Sequence, residues 1–428
     1  MKQKVLMVVE NLPVPFDRRV WKEARALHEA GYQVTVLSPK GKSYQRSYEL
    51  LEGIHIYRHP MPREGSGVVG YIVEFGCALI WEVLFSWWIF FRRGFSVIQG
   101  CNPPDNIVVV ALPFKLLGVK YIFDHHDVTP ELYLSKYEKE DALYKVQLWL
   151  ERLTFRFSDV VMSTNDSYRE IAITRGGRAP EEVFVVRNGP DLRMFKPVSP
   201  DPLLKFGKKY LVGYVGVMSS QEGLDILLEV AEHIRRCGRN DVHFTCVGGG
   251  PALPELKRLV GVRRLEGMVT FTGRISDADL LRALSTADVC VNPDRPCSMN
   301  DMSTMIKIME YMALGKAIVQ FDMKEGRVSA QDASLYCSQA GGVADFAEKI
   351  LWLLDHPEER ERMGEFGRRR VERELAWEYC VKNLFAAYDK ALGATEVKAD
   401  LESGAGSADG VAGITSAESK RSTGILVK

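Results

Sequence analysis

Short, unbroken apolar runs alternate with longer stretches in which apolar residues recur every three or four positions, from Lys4 to about Leu392. Lys4–Val9 is the kind of run that a parallel strand covered on both faces requires. Asn11–Phe16, with two prolines, reads as a loop, and Asp17 can cap a helix that turns Val20, Ala24 and Leu27 inward before Gly31. Gln33–Leu37 follows as a strand, so the chain opens as a βαβ unit. Further strands are expected at Ile54–Arg58, Val97–Gly100, Tyr121–Phe123, Asp159–Thr164 and Val183–Val186, with a helix over Pro104–Leu117 and an amphipathic stretch reaching Phe157. A second array begins at Leu211–Val217 and continues through Val242–Val247, Val269–Thr272, Val289–Asn292 and Ala317–Phe321, with helices between. Strand–helix alternation on this scale predicts two doubly wound α/β units. We expect them to span 1–190 and 191–370, with a helix over 371–393 packing back on the first unit. From Ala394 the chain is rich in Gly, Ser, Ala and charge, and 394–428 is expected to be a disordered tail.

The pattern breaks at Val68–Phe91, where Glu82, Ser86 and Arg93 form a narrow polar stripe on an otherwise apolar helix. Glu74 and Glu82 interrupt it too early for a membrane span. Two readings stand: a buried helix, or one lying in a membrane interface with Trp81, Trp87 and Trp88 at headgroup level and Arg92–Arg93 as anchors.

Polar residues cluster where strands end, the place at which open α/β sheets present ligands. Around Met305, Ile308, Met309 and Met312 the spacing is helical, and at about 100° per residue Ser303, Lys307 and Glu310 share the opposite face. Ser303 or Thr304 can cap that helix, leaving free N–H groups and a positive dipole end beside Lys307, where a diphosphate would fit. A solvated face with a Lys–Glu pair is the plainer alternative. After Tyr121–Phe123 comes DHHDVTPELY, in which one histidine can act on a substrate hydroxyl near neutral pH. The pair can equally be structural; no further ligands are spaced to complete a metal site, and none is expected. Arg18–Arg19, with Asn11, stand after the first strand and can hold phosphate. Gly248–Gly250 lacks dinucleotide-binding spacing and is explained by a tight turn.

Composition changes this picture little. Lys+Arg and Asp+Glu both number 56, so the formal charge is zero, and no basic run points to nucleic acid. The eight cysteines are scattered without CxxC or Cys/His spacing, as expected of a reduced cytoplasmic protein. The apolar run near the N-terminus is too short for a signal peptide and fits a first strand.

Four stretches carry a resemblance: VWKEARALHEAGYQVTVLSP at the opening, NGPD at 188–191, FTGRIS at 271–276 and, above all, EYMALGKAIV at 310–319. They resemble the family 4 glycosyltransferases, retaining, metal-independent enzymes of the two-domain GT-B fold. The resemblance implies a cleft between two Rossmann-like domains that takes a nucleoside diphosphate sugar and no other cofactor. It implies that Glu310 holds the ribose, that the peptide near Arg274 faces the nucleobase, and that His126–Asp127 lies near the donor sugar and acceptor. The Trp-rich helix then suggests a lipid-linked glycan acceptor, cell-envelope polysaccharide or glycolipid synthesis, and a place on the inner face of the cytoplasmic membrane.

The sequence also departs from that family. Its glycine-rich turn after the first strand is absent, and the family's other donor-site Glu falls on Met302, with Asp301 one residue away. The Arg and Lys that neutralise the diphosphate fall on Val217 and Glu222. Lys307, Arg274, Arg295 and Arg18–Arg19 are the cations that could replace them. A nucleotide-sugar epimerase and a non-catalytic glycosyltransferase-like subunit are the alternatives these departures leave.

Overall fold

The computed structural model describes residues 3–41, 43–61 and 67–393. The first half forms an eight-stranded sheet: β1 (Lys4–Val9), β2 (Gln33–Pro39), β3 (Tyr48–Leu51), β4 (Ile54–His59), β5 (Val97–Cys101), β6 (Lys120–His125), β7 (Val160–Ser163) and β8 (Val183–Val185). Its order is β3-β4-β2-β1-β5-β6-β7-β8, parallel except for β3, which runs antiparallel to β4. The second half forms a separate six-stranded sheet from β9 (Tyr210–Val215), β10 (Val242–Val247), β11 (Val269–Gly273), β12 (Val289–Asn292), β13 (Ile318–Phe321) and β14 (Ser334–Cys337). It is parallel throughout, in the order β11-β10-β9-β12-β13-β14. The architecture is thus two Rossmann-like α/β units.

The period-2 geometry of a strand shows directly in β1. Val5, Met7 and Val9 join the layer containing helix Arg18–Glu29, while Leu6 and Val8 join the opposite layer. The first of these layers also receives Trp377, Leu384, Ala387 and Tyr388 from the C-terminal helix Trp377–Leu392. That helix therefore crosses from the second half to cover the first sheet.

Its approach is not one continuous helix. Pro357–Arg370 is followed by a wide turn at Val371–Leu375, and Ala376 is extended (φ −64°, ψ 155°) before the last helix begins. The break places the chain against the loop that leaves β8. Trp377 N donates to Pro190 O at 3.0 Å. Gly189 is needed at that crossing, since a Cβ there would meet Leu375 O at 2.0 Å. Gly248 has the same kind of reason: its φ is +128°, and a Cβ would lie 1.9 Å from Gly216 O in the loop after β9.

Val68–Phe91 falls within a single helix, Gly67–Arg93, which packs against β2, β4 and the helix Val108–Lys115. It is long and apolar enough to cross a membrane by length and composition. Its packing is inverted: Glu82 and Ser86 are fully buried, whereas Ile80, Trp81, Leu84, Trp88 and Phe91 face outward. Of the two readings, a helix buried all round does not describe it. Trp87 does pack inward, its ring 4.6 Å from that of Phe114, but much of the apolar surface is left uncovered. The expected tail, 394–428, lies outside the described residues.

Candidate active site

The carboxyl ends of β1 and β6 face the segment between β12 and β13 across a cleft of about 490 Å³. Asn11, Arg18, Arg19, His126 and Asp127 line it from the first half, and Ser303, Thr304, Met305 and Ile306 from the second. The two halves also bond at its wall. Asn165 Nδ2 donates to Met302 O (2.9 Å) and Thr304 Oγ1 (3.1 Å), and the Tyr168 and Ser303 hydroxyls meet at 2.9 Å.

His126 is held from two directions. Asn102 Oδ1 accepts from the backbone N–H of His126 (2.6 Å) and of Asp127 (3.1 Å), while Asn102 Nδ2 donates to Asp127 O (2.7 Å). The ring's Nε2 lies 2.5 Å from Asp124 Oδ2. Burial alone would lower this imidazole's pKa, but the Asp124 carboxylate outweighs burial and the repulsion of Arg19, and the pKa is raised. Asp124 is itself fully buried; Arg19 and His126 overcome that burial and hold its carboxyl well below the usual range. Gln99 Nε2 donates to the same carboxylate at 3.0 Å, and Tyr388 of the C-terminal helix donates to Gln99 Oε1 at 2.6 Å. A buried chain of hydrogen bonds thus runs from the C-terminal helix to the histidine in the cleft.

His125 has a different part. It is buried among the rings of Phe123, Phe155 and Tyr168, and burial pushes its pKa down to about 3. It is a neutral core residue. Among the described residues, one His/Cys/acid group is close enough to suggest a metal, namely Cys101, Asp124 and His126. Its chemistry does not fit a cation: Arg19 already occupies Asp124 at 2.7 Å, and burial pushes the Cys101 thiol well up, keeping its proton.

Arg19 is likewise committed. Its guanidinium bonds Asp124, lies 3.0 Å from Glu23 and donates to Val186 O at 2.7 Å, so the expected phosphate role passes to other groups. Arg18 is exposed and pairs with Asp277 of the second half at 2.8 Å. Arg274 is exposed too, its guanidinium 4.3 Å from the ring centroid of Phe16, a residue that lines the cleft. Arg295 pairs with Asp225.

The helix that opens the second wall starts later than its spacing suggests. It runs Ile306–Ala313 with Met305 at its N-cap and no side-chain cap. Ser303 instead donates to Met299 O at 2.7 Å, and Thr304 to Glu325 Oε2 at 3.2 Å. The capping expectation is corrected, although the uncapped helix start still borders the cleft.

Lys307 is the larger correction. Its ammonium is 2.5 Å from Glu222 Oε2 and 2.7 Å from Asp294 Oδ1, with its side chain 9% exposed. Burial would lower the amine's pKa, but Asp294 and Glu222 outweigh it and raise it. Burial pushes Asp294 up to about 7 despite Lys307. The amine is therefore neutralised by the very residue, Glu222, that stands where a cation was expected, and Val217 beside it is 61% exposed. Glu310, one turn further on, is half-buried, and among the described residues its side chain has no hydrogen-bond partner. Burial raises its pKa while Arg18 and Lys22 pull it back. Asp301 Oδ1 accepts from Lys324 N at 2.8 Å.

Asn102, Asp124, Tyr168 and Asp294 join the site without having been singled out by any local sequence pattern. Asn102 follows the last residue of β5 and Asp124 is the penultimate residue of β6, so the strand-end rule that singled out Asn11 and His126 applied to them equally.

Two family models cover most of the chain: a glycosyl transferase 4-like domain over residues 17–189 and glycosyl transferases group 1 over 209–356. Alpha-D-kanosaminyltransferase of Streptomyces kanamyceticus is 31% identical over 262 residues, 59% of this chain and 65% of that protein. The match thus spans just under two thirds of that relative. Sucrose-phosphate synthase from Thermosynechococcus elongatus superposes with a TM-score of 0.74 at 18% identity, over 92% of this chain and all of the other. Anabaena HepE in complex with UDP and glucose gives 0.69 at 15%, over 91% of this chain and all of the other.

Proposed function

The chain belongs to the group 1, family 4-like glycosyltransferases of GT-B fold, and from that premise we propose that it moves a glycosyl unit from a nucleoside diphosphate sugar to a hydroxylated acceptor. The observation that carries this reading is the meeting, in one cleft, of His126–Asp127 with the uncapped start of helix Ile306–Ala313. In it, the helix start receives the diphosphate through backbone N–H groups and stabilises the charge that grows as the sugar leaves. Glu310 holds the ribose, and the peptide near Arg274 faces the base. His126, aimed by Asp124 and Asn102, positions the reacting sugar. The course is retaining and needs no metal ion, as the family resemblance implies.

Charge supports a specific refinement. With Val217 and Glu222 in place of the expected cations, and Lys307 neutralised, Arg18, which lines the cleft, and Arg274, which stacks on the lining residue Phe16, are exposed cations able to serve. They sit on opposite sides of the domain gap, Arg18 on Asp277 and Arg274 on Phe16. Donor binding therefore leans on groups that must be re-paired when phosphate arrives. A non-catalytic role as a partner subunit is the second reading, favoured by that same neutralised lysine.

The inverted helix Gly67–Arg93 belongs to the same proposal. Its outward apolar face, with the Arg92 guanidinium 5.4 Å from the Trp88 ring centroid, suits a membrane interface and supports the reading of a cytoplasmic membrane surface with a lipid-linked acceptor. A thermal-shift screen against UDP-, GDP- and other nucleotide sugars tests the donor: the true one raises the melting temperature. No shift from any of them would contradict the proposal.

A further inference from the structure

A second cavity, of about 430 Å³, opens beside the cleft. Its walls are the helices Gly67–Arg93, Thr129–Tyr137 and Ala142–Phe157, which contribute Phe75, Leu79, Tyr133, Val146 and Leu150. Asn11, Pro103 and Leu132 line both spaces, so the two adjoin. The cavity therefore lies between the reacting end of the cleft, where His126 stands, and the helix whose far side is the exposed apolar face.

We infer that this cavity holds the apolar part of the acceptor, and that the part is uncharged and carries hydroxyl groups. The inference rests on the transferase reading and adds the class of acceptor to it. Three observations support the assignment. The volume falls in the range of small-molecule sites lined mainly by apolar side chains. Among the described lining residues there is no Lys or Arg, and the one carboxyl, Asp105, is buried. An anionic group taken there would be desolvated without a partner, so the ligand is neutral in this part. Finally, two lining amide oxygens, Asn106 Oδ1 and Gln147 Oε1, are buried and accept no hydrogen bond. Orphaned acceptors are costly, and a hydroxyl-bearing ligand would satisfy both.

The geometry sets an orientation. The apolar body fills the space between the three helices, and the hydroxyl to be glycosylated passes Asn11 and Leu132 toward His126.

The test uses the full chain with n-decyl β-D-glucoside as a neutral probe and n-decyl phosphate as an anionic one, titrated below their micelle concentrations. The glucoside should bind saturably, and the phosphate at least tenfold more weakly. Val146→Trp fills the mouth of the cavity from a position that is 47% exposed and should weaken glucoside binding at least tenfold. Gln147→Leu keeps the side chain's bulk, removes one orphaned acceptor and should weaken the glucoside several-fold. UDP or GDP binding, measured in the same samples, reports whether each variant retains its cleft. Glucoside binding unchanged in both variants would overturn the assignment, and so would equal or tighter binding of the phosphate. Binding lost only when Trp88 and Phe91 are made polar would also overturn it, by placing the alkyl chain on the outer face. If the probe binds as expected but no nucleotide sugar is ever transferred to it, the cavity stands and the transferase reading fails.

Discussion

Replacing Lys307 by methionine separates the two things that lysine was expected to do. Its ammonium lies 2.5 Å from Glu222 and 2.7 Å from Asp294, and the three side chains are 9%, 23% and 1% exposed. Methionine keeps the volume but leaves two carboxylates facing each other without a cation. Removing one partner of a buried pair costs about 3–5 kcal/mol. At roughly 2–4 °C per kcal/mol for a unit of this size, the unfolding midpoint should fall by about 6–20 °C. The loss should also depend on pH. Burial pushes the Asp294 carboxyl up to about 7 in the folded protein, above its value in the unfolded chain. A raised acid stabilises the fold below that range and loses the contribution as pH rises through about 7. The variant should therefore be worst near pH 8.5 and partly recover near pH 5.5. Urea unfolding followed by circular dichroism at both pH values measures this. Adding Glu222→Gln and Asp294→Asn should return most of the lost stability, because a neutral cluster of similar volume has no unpaired charge to bury. A loss under about 1 kcal/mol that ignores pH would mean that the lysine is not needed to neutralise Glu222 and Asp294, and would return Lys307 to the diphosphate.

Other outcomes follow from neighbouring residues. Glu310→Gln should weaken nucleoside binding by roughly 1–3 kcal/mol, about 5- to 150-fold by calorimetry, and leave stability almost unchanged. In Asp124→Asn the His126 imidazole should titrate lower, since burial and Arg19 persist while the carboxylate that raised it is gone. The imidazole's own stability contribution is present below pH ~6.5 and lost as pH rises through the raised folded value, so the wild-type protein should hold its His126 proton to higher pH by NMR. On helix Gly67–Arg93, Trp88→Gln with Phe91→Gln should abolish binding to anionic vesicles at unchanged melting temperature. Trp87→Gln should instead destabilise, because that ring packs on Phe114.

What could be read from the sequence was what depends on local periodicity. β1 showed as a strand because both its faces are covered, leaving no polar alternation to confuse it. The periodic stretch ending near Leu392 hid its break at Ala376, since a helix on either side of one extended residue keeps nearly the same apolar spacing. Spacing placed Ser303, Lys307 and Glu310 on one face only if the helix began at 303. It begins at Ile306, so Ser303 lies off that face. The partners of Lys307 come from 85 and 13 residues away, a distance no local pattern encodes. The helix at 67–93 shows a further limit: composition revealed an apolar helix with a polar stripe, but not that Glu82 and Ser86 would be the buried side.

Glycosyl transfer at His126 is tested by incubating the full chain with its stabilising nucleotide sugar and a hydroxylated acceptor, and comparing wild type with His126→Ala. Both glycoside formed and nucleoside diphosphate released are measured. Transfer at this site predicts equal amounts of the two in the wild type. It predicts a fall in kcat of at least a hundredfold in the variant, with nucleotide affinity nearly unchanged, as when a transition-state contact is lost. Wild-type turnover in His126→Ala, or tight nucleotide-sugar binding with no glycoside formed by either protein, would contradict it.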